Sequence, residues 1–585
     1  MKNVVLAAPA LAAALLAADP AGKWTGTIDV PDTGSGTIIS TPVDAVFERR
    51  EGRLTGRIGR KGDPNAEPVR NAVSDGRSLT FEVTSPETAS AMRFTLAIDG
   101  GRMTGEMKGR VEGAGEIVGK VALPRAAQAA SAPKPNIVLI FTDDQGYGDA
   151  GCYGSPDIAT PNLDRMAAEG IRFTDFYAQP FCGPSRAALM TGSYPPRVSL
   201  MFNHSPKART GIHRNEVTIA EILKGQGYRT MIIGKWHLGD APEFLPTRQG
   251  FDRFFGLPYS NDMWPYHPLT YPEENEHPRL TAARKRAEHT GYAGRGTPYP
   301  KGGGFPDLPL MSNEEVLEWN PDQTKLTRTY TEKALSFIAE NKDVPFFLYL
   351  AHNMPHVPLF ASEGFRGKSK RGLYGDVVDE IDCSVGAVLA KLKQLGLDEK
   401  TLVVFTSDNG PWLPYGIDGG SAGPLRNGKG THWEGGMRVP AIARWPGRIP
   451  PGRTTSAVAA NLDLLPTFSR LAGGEAPRDR VIDGRDLWPL LSGEKGAKSP
   501  HEAFYYYAGA RPGAAAPLKA IRSGKWKLHL RNDGTGEALY DLETDIGERK
   551  DRLPEFPEVG LRLAAMAKGF DNELRRNVRP LGGKE

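Results

Sequence analysis

The sequence predicts an α/β protein: a mostly parallel sheet sandwiched by helices, with an extra N-terminal all-β domain and a small C-terminal antiparallel sheet. Three observations carry that expectation. From Asn136 onward, nearly continuous apolar runs alternate with helical patterns, as buried parallel strands and their covering helices do. Between Gly22 and Pro124, glycine turns instead precede alternating apolar and polar residues, a hairpin pattern. After about Asn461 the long pattern breaks into short strand-and-turn units.

The chain has 585 residues and a formal net charge of +4. Such a chain buries a large core without covalent staples, and its 3 cysteines exclude a disulfide scaffold. The near-balance of charge argues against a nucleic-acid binder or a polybasic membrane protein. With 39% hydrophobic and 24% charged residues, the chain is globular rather than disordered. Its 68 glycines and 48 prolines, about a fifth of the residues, predict long structured loops, where sites usually lie.

The elements follow in order. Met1-Lys2-Asn3 gives a short positive start, Val4 to Ala18 an apolar Ala/Leu run, and Asp19-Pro20 ends it. Residues 1–18 therefore read as a signal peptide, too short for a comfortable membrane span, with cleavage between Ala14 and Ala18. No later stretch is long and apolar enough to span a bilayer, so the mature protein is expected to be periplasmic or secreted. Residues 20–125 read as a small β-barrel or β-sandwich domain. The segments beginning at Gly22 (GKWTGTI), Gly52 (GRLTGRI) and Gly101 (GRMTGEM) recur in it, and Ser78 to Val83 alternates in the same way. Unequal spacing excludes a solenoid, and the domain is expected to be a structural accessory rather than a ligand-binding module. Residues 126–135 (AAQAASAPKP) are small, Pro-containing and non-periodic, as in a linker. Residues 136–460 form the main domain and 461–585 a C-terminal subdomain.

Four predicted strands of the main domain end in polar chemistry. Asn136 to Phe141 runs into Thr142-Asp143-Asp144, Thr230 to Ile233 into Gly234-Lys235-Trp236-His237, Pro345 to Leu350 into His352 and His356, and Leu402 to Phe405 into Asp408-Asn409-Gly410. Ligands of open α/β sheets bind beyond the carboxyl ends of strands, so one rim collects carboxylates, an amide, a lysine and histidines. Adjacent Asp143 and Asp144 repel each other unless a cation lies between them. With Asp408 and Asn409 they offer an all-oxygen shell, which suits Ca²⁺ or Mg²⁺ better than Zn²⁺. Capping of a following turn is the alternative role for each Asp. Cys182 follows a strand-like stretch, Ile171 to Tyr177, and precedes a helix in which Pro184 sits near the start. A helix N-terminus favours anions, although a lone cysteine is most often simply buried.

Cys182-Gly183-Pro184-Ser185-Arg186, continued by Leu189 and Thr191-Gly192, resembles the signature of type I sulfatases, whose Cys is oxidised to Cα-formylglycine. Gly234 to Gly239 (GKWHLG) resembles their second signature, and Asp143-Asp144, His356-Val357-Pro358, Asp408-Asn409-Gly410 and Gly428-Lys429-Gly430-Thr431 match further family positions. Leu245 to Phe251 and Gly256 to Asp262 look like the arylsulfatase A-like branch, which includes N-acetylgalactosamine-6-sulfatase. The likeness runs from about Pro135 to the C-terminus and omits the N-terminal β domain.

The resemblance implies an alkaline-phosphatase-like fold and hydrolysis of sulfate monoesters, either aryl sulfates or sulfated carbohydrates. It implies one Ca²⁺ held by Asp143, Asp144, Asp408, Asn409 and the modified side chain at 182. Hydrated formylglycine is then the nucleophile, with Asp408 accepting its proton, and His237 later removes the second hydroxyl proton to release sulfate. Arg186, Lys235 and Lys429 bind the transferring group, and His356 or Lys429 protonates the leaving oxygen. Ser260 either contacts substrate or only shapes a turn. A sulfatase-maturing, formylglycine-generating enzyme is the implied partner, with no nucleic acid. The rival functions are a phosphate or phosphonate monoester hydrolase of the same superfamily and a catalytically dead glycan-binding protein.

The remaining elements carry less chemistry. Cys152 and Cys383 read as structural, Cys383 on a helix with an apolar face (Val377, Val378, Ile381, Val385, Val388) that suggests burial. An exported protein also leaves a Cys152–Cys383 disulfide open. Trp264 to Asn320 reads as a long loop near the site mouth. Leu518 to Arg522, Lys525 to Leu530 and Ala538 to Leu542 read as short antiparallel strands, and Pro557 to Leu574 as a closing helix.

Overall fold

A computed structural model describes residues 20–32, 37–50, 53–63, 66–84, 90–99, 101–111, 115–124, 134–265, 305–509 and 516–583. The expected signal peptide, nearly all of the expected linker and the middle of the 264–320 segment lie outside the described residues. The chain divides into two compact units, Met1–Pro133 and Lys134–Glu585.

Among the described residues the first unit contains nine strands: β1 (Gly22–Pro31), β2 (Ile38–Arg50), β3 (Arg53–Arg60), β4 (Glu67–Pro68), β5 (Arg70–Ser74), β6 (Ser78–Thr84), β7 (Ala91–Asp99), β8 (Arg102–Val111) and β9 (Gly115–Pro124). All pairings are antiparallel, in the order β4-β3-β2-β1-β9-β8-β7-β6-β5. Alternate residues of the strands enter one core built around Trp24, Phe47, Phe81, Phe94, Met103 and Leu123. The sheet curls on itself, since Phe47 of β2 meets Phe81 of β6, ring centroids 5.3 Å apart, although these strands are not neighbours. The second glycine of the repeated segments lies inside a strand rather than in a turn. A Cβ on Gly26 would stand 1.9 Å from the Ala122 carbonyl oxygen, and one on Gly105 2.0 Å from that of Thr95. Glycine is what lets neighbouring backbone come this close in the bent sheet.

The second unit is built on an eleven-stranded sheet. Its strands are β10 (Asn136–Thr142), β11 (Ile171–Tyr177), β13 (Arg229–Lys235), β14 (Arg253–Leu257), β15 (Pro309–Ser312), β16 (Glu315–Trp319), β17 (Phe346–Ala351), β18 (Thr401–Ser407), β19 (Arg438–Arg444), β20 (Arg453–Thr455) and β21 (Ala459–Ala460), while β12 (Thr210–Gly211) pairs with a strand near the C-terminus, Gly582–Gly583. Strands β14-β13-β17-β10-β18 form a parallel centre, with antiparallel β15 and β16 on one side and β19 and β11 on the other.

Strict alternation explains the helical cover on both faces. Val138 and Ile140 of β10 pack with Leu163, Tyr330, Phe337, Val377 and Val385, from the helices Pro161–Ala168, Leu326–Glu340 and Leu373–Gln394. Ile137, Leu139 and Phe141 turn the other way, onto Leu189, Leu223 and Phe468 from the helices Cys182–Thr191, Ile219–Gly225 and Leu464–Leu471. Fully burying one such side chain stabilises by about 1.5–3 kcal/mol, which is why both sides of these strands read as apolar.

At the C-terminal end, β22 (Phe504–Tyr507), β23 (Leu518–Ser523), β24 (Trp526–Leu530) and β25 (Gly536–Asp541) form a four-stranded antiparallel sheet. The helix Pro557–Arg576 closes over it through Leu563 and Ala567, against Ile521, Leu528 and Leu539. Two expectations are corrected. Residues 309–319 are not loop: they add β15 and β16 to the sheet edge. Cys383 is exposed rather than buried, and Cys152, Cys182 and Cys383 are all free, so there is no Cys152–Cys383 bond. Two residues after Ile381, Cys383 points about 200° round the helix from the apolar face. Among the described residues no helix is long and apolar enough to cross a membrane.

Candidate active site

The register of the parallel centre assembles the site. Thr142 of β10 pairs with Ser407 of β18, so Asp143-Asp144 and Asp408-Asn409 leave the sheet side by side. The Asp408 amide donates to the Thr142 carbonyl at 3.1 Å. Asp144 takes a left-handed conformation, φ 63°, and its amide donates to Asp408 Oδ1 at 3.1 Å. Asn409 Nδ2 donates to Asp144 Oδ1 at 2.7 Å, while its own Oδ1 is buried with no hydrogen-bond partner.

The helix Cys182–Thr191 begins at this rim with Cys182 in its first turn, wholly buried. Cys182 Sγ lies 3.3 Å from Asp143 Oδ1 and 3.5 Å from Lys429 Nζ. One turn on, on the same helix face, Arg186 donates to Asp408 Oδ2 at 3.0 Å and to the Lys235 carbonyl at 2.9 Å, and its Nη2 lies 3.4 Å from Asp143 Oδ2. Lys235, the last residue of β13, pairs with Asp143 and donates to Ser260 Oγ at 3.0 Å. Lys429 pairs with Asp144 at 2.7 Å, and its ammonium lies 4.3 Å from the centre of the Trp412 ring. Three buried carboxylates thus face three buried cations, the pairing that buried charge requires.

The histidines differ in role. His356 Nδ1 contacts the Val357 carbonyl at 2.5 Å, which makes it the protonated nitrogen, and Nε2 lies 3.5 Å from Asp144 Oδ2. His237, at φ 64°, turns Nε2 to the His204 carbonyl at 3.2 Å, and its buried Nδ1 has no partner. A carbonyl can only accept, so Nε2 carries the hydrogen and Nδ1 is the basic nitrogen. His352 stays apart, its Nε2 3.4 Å from Ser384 Oγ.

Electrostatics separate the carboxylates. Burial pushes Asp143 up, but Lys235, His356 and Arg186 outweigh it and hold the carboxyl well below its usual range. Burial and then Asp143 push Asp408 up to about 7, only partly offset by Arg186 and Lys235. Burial and the charge of Asp143 also raise the Cys182 thiol well above its usual value. His237 is held well below the usual imidazole range, first by burial and then by Lys235.

All eleven residues singled out in the sequence lie in or beside this rim. Asp143, Asp144, Cys182 and His356 form the tightest group, with ligand atoms within 4.8 Å of one another. Asp408 and Asn409 join it through Asp144, Ser260 through Lys235, and His237 flanks it. Sequence reasoning missed Trp412 and His204, which only loop folding brings in, and Tyr349, whose hydroxyl is 3.4 Å from Arg186. Strand alternation does place Tyr349 on the face shared with Phe347 and Ala351.

A thiol at a helix N-terminus, oxygen donors suited to a hard cation and three placed cations together suit the hydrolysis of anionic esters. The comparisons narrow the class: residues 135–474 match the Sulfatase family and residues 428–563 the C-terminal region of N-sulphoglucosamine sulphohydrolase. The chain belongs to the sulfatase family, and it is a sulfuric ester hydrolase. It is 42% identical to arylsulfatase A from Homo sapiens over 458 residues, covering 74% of this chain and 86% of that one. It is also 42% identical to N-acetylgalactosamine-6-sulfatase from Canis lupus familiaris over 415 residues, 69% and 73% of the two chains. Among solved structures, Ps i-CgsB in complex with k-i-k-neocarrahexaose superposes with a TM-score of 0.61 at 33% identity, covering 75% of this chain and 92% of that one.

Proposed function

We propose that the enzyme hydrolyses sulfate monoesters to an alcohol and inorganic sulfate through a formylglycine made from Cys182, with one Ca²⁺ at the carboxylate rim. The observation that carries this reading is the donor set. Asp143, Asp144, Asp408 and Asn409 offer hard oxygens, including the orphaned Asn409 Oδ1, and the only soft atom among them is Cys182 Sγ. Replacing that sulfur by the oxygens of a hydrated aldehyde makes the set all-oxygen. When bound, the cation stabilises a deprotonated oxygen beside it and attracts the oxygens of the sulfate.

The chain's own groups supply the rest. Arg186, Lys235 and Lys429 bind the charge that spreads over the transferring group. Asp408, which Arg186 holds at 3.0 Å beside the attacking position, accepts the proton of the attacking oxygen. His356, its Nδ1 hydrogen kept on the Val357 carbonyl, holds a second proton on Nε2, beside Asp144, for the leaving oxygen, with Lys429 as the other candidate. His237 Nδ1, the unpartnered ring nitrogen that carries no hydrogen, takes the last proton before sulfate leaves. Ser260 fixes Lys235 and adds a hydroxyl to the sulfate subsite.

A sulfated carbohydrate is the natural substrate class we favour, because the related Ps i-CgsB carries a neocarrahexaose. Residues 1–18 act as a leader that sends the chain to the periplasm or out of the cell, and a maturing enzyme acts on Cys182. Mass spectrometry of the peptide containing residue 182, paired with turnover of a sulfate and a phosphate ester of the same phenol, tests the reading. The expected result is an aldehyde or its hydrate at 182, with sulfate preferred. An active enzyme carrying an intact thiol, or one that prefers phosphate, overturns it.

A further inference from the structure

Lys429 sits on an irregular loop between the 3₁₀ segment Leu413–Asp418 and the short helix Glu434–Met437. Its ammonium must stay in register with Asp144 and residue 182, since a misplacement of about 1 Å can cost roughly a hundredfold in rate. The middle of the loop is tied down by main-chain bonds, Lys429 to Pro411 and Gly430 to Pro180, both at 2.9 Å. Its base is closed by the Gly435 amide, which donates to the Arg426 carbonyl at 2.8 Å.

That base is bolted by one residue from the C-terminal end of the chain. Glu548 follows β25, is fully buried and has a left-handed backbone, φ 52°. Its Oε2 accepts the Glu434 amide at 2.8 Å, and its main-chain carbonyl accepts Arg426 Nη1 at 2.6 Å. Its Oε1 is held by Lys527 Nζ and His529 Nε2 of β24, both at 2.9 Å. Glu434, at the same base, uses its own carboxylate on Lys527 at 2.9 Å and on the Tyr177 and Tyr506 hydroxyls at 2.7 Å. Glu548 therefore ties the two ends of the Lys429 loop to each other and to the small sheet.

We infer that Glu548 is a positioning residue for Lys429, so that the C-terminal sheet completes the active site without touching substrate. The inference rests on the reading of Lys429 as a sulfate-binding group. A double-mutant cycle on the full-length, matured enzyme separates the two, with kcat and KM measured on an aryl sulfate. Glu548→Gln keeps size and shape but leaves one acceptor oxygen where the Glu434 amide on one side and Lys527 and His529 on the other need two. It is expected to lower kcat/KM at least tenfold in the wild-type background and less than threefold in a Lys429→Arg background, with circular dichroism unchanged. Should Glu548→Gln fail to fold, Arg426→Gln enters the same cycle from the other end of the base. Equal losses in both backgrounds, or a loss under threefold in the first, overturn the role of Glu548. A Lys429→Arg enzyme as fast as wild type overturns the reading of Lys429 itself.

Discussion

At the scale of single residues, the site is a charge balance with one unusual atom. Cys182 is wholly buried against Asp143 and Lys429, where a serine fits sterically but lacks the second hydroxyl that the proposed release step needs. Cys182→Ser is expected to lose steady turnover by at least about a thousandfold, on the scale of nucleophile deletions elsewhere. Steady-state assay on an aryl sulfate, with mass spectrometry for trapped sulfate, reads the result; a variant that cycles at the wild-type rate refutes the mechanism. The adjacent carboxylates supply a second expectation. Asp143 and Asp144 gain most from a divalent ion, so chelation should abolish activity and lower the melting temperature, and Ca²⁺ should restore both. Saturation at a hundred times Kd contributes about 2.7 kcal/mol. Full activity after exhaustive chelation and dialysis contradicts the proposed ion.

At the scale of elements, the strand ends were legible and the loops were not. Asn136 to Phe141 and Leu402 to Phe405 show their type because both faces are buried, and the polar residues that follow them must then share a rim. Cys383 misled because an apolar helix face does not say on which side of its edge a given residue falls. The strands β15 and β16 were hidden in a Pro- and Gly-rich stretch, and β22 in an aromatic run without a turn signal. The network around Glu434 was invisible for another reason: Arg438 is four residues away, but Tyr177, Arg522 and Lys527 come from distant segments and only tertiary packing joins them. Burial pushes the Glu434 carboxyl up, but Lys527, Arg438 and Arg522 outweigh it and hold it far below the usual range. A depressed carboxyl contributes stability that is present above its unfolded pKa, about 4.3, and is lost as pH falls toward the folded value. The stability that Glu434 contributes should therefore hold from pH 8 to about 5 and shrink below that. Glu434→Gln should flatten the acid slope and cost about 3–5 kcal/mol at pH 7, because it strands buried cations. Denaturant melts of both proteins across the acid range check this, and identical slopes refute it.

At the scale of the whole molecule, each of the two units has a core of its own. Among the described residues, the aromatic core of the β unit is built from Trp24 to Leu123, and the cores on the two faces of the large sheet are built from Ile137 onward. Each unit thus satisfies its own hydrophobic faces, the condition for folding alone. We propose that catalysis lies wholly in residues 136–460 with the 461–585 subdomain, and that the 20–125 domain does not contribute a site residue. The fold supports this division physically: every candidate ligand and cation lies in the second unit, at the end of a strand, on the helix Cys182–Thr191 or on a loop between its elements. An enzyme beginning at Lys134 and matured in the same host should keep kcat on a small aryl sulfate within about twofold, since no group near the reacting atoms changes. If the β domain instead binds the rest of a glycan, the truncation should raise KM for a sulfated oligosaccharide while leaving the aryl sulfate unaffected, the pattern of lost uniform binding. A truncated enzyme that is folded, carries the modified residue 182 and has still lost kcat on the small ester would show that the β domain reaches into the site, and the division of labour would have to be redrawn.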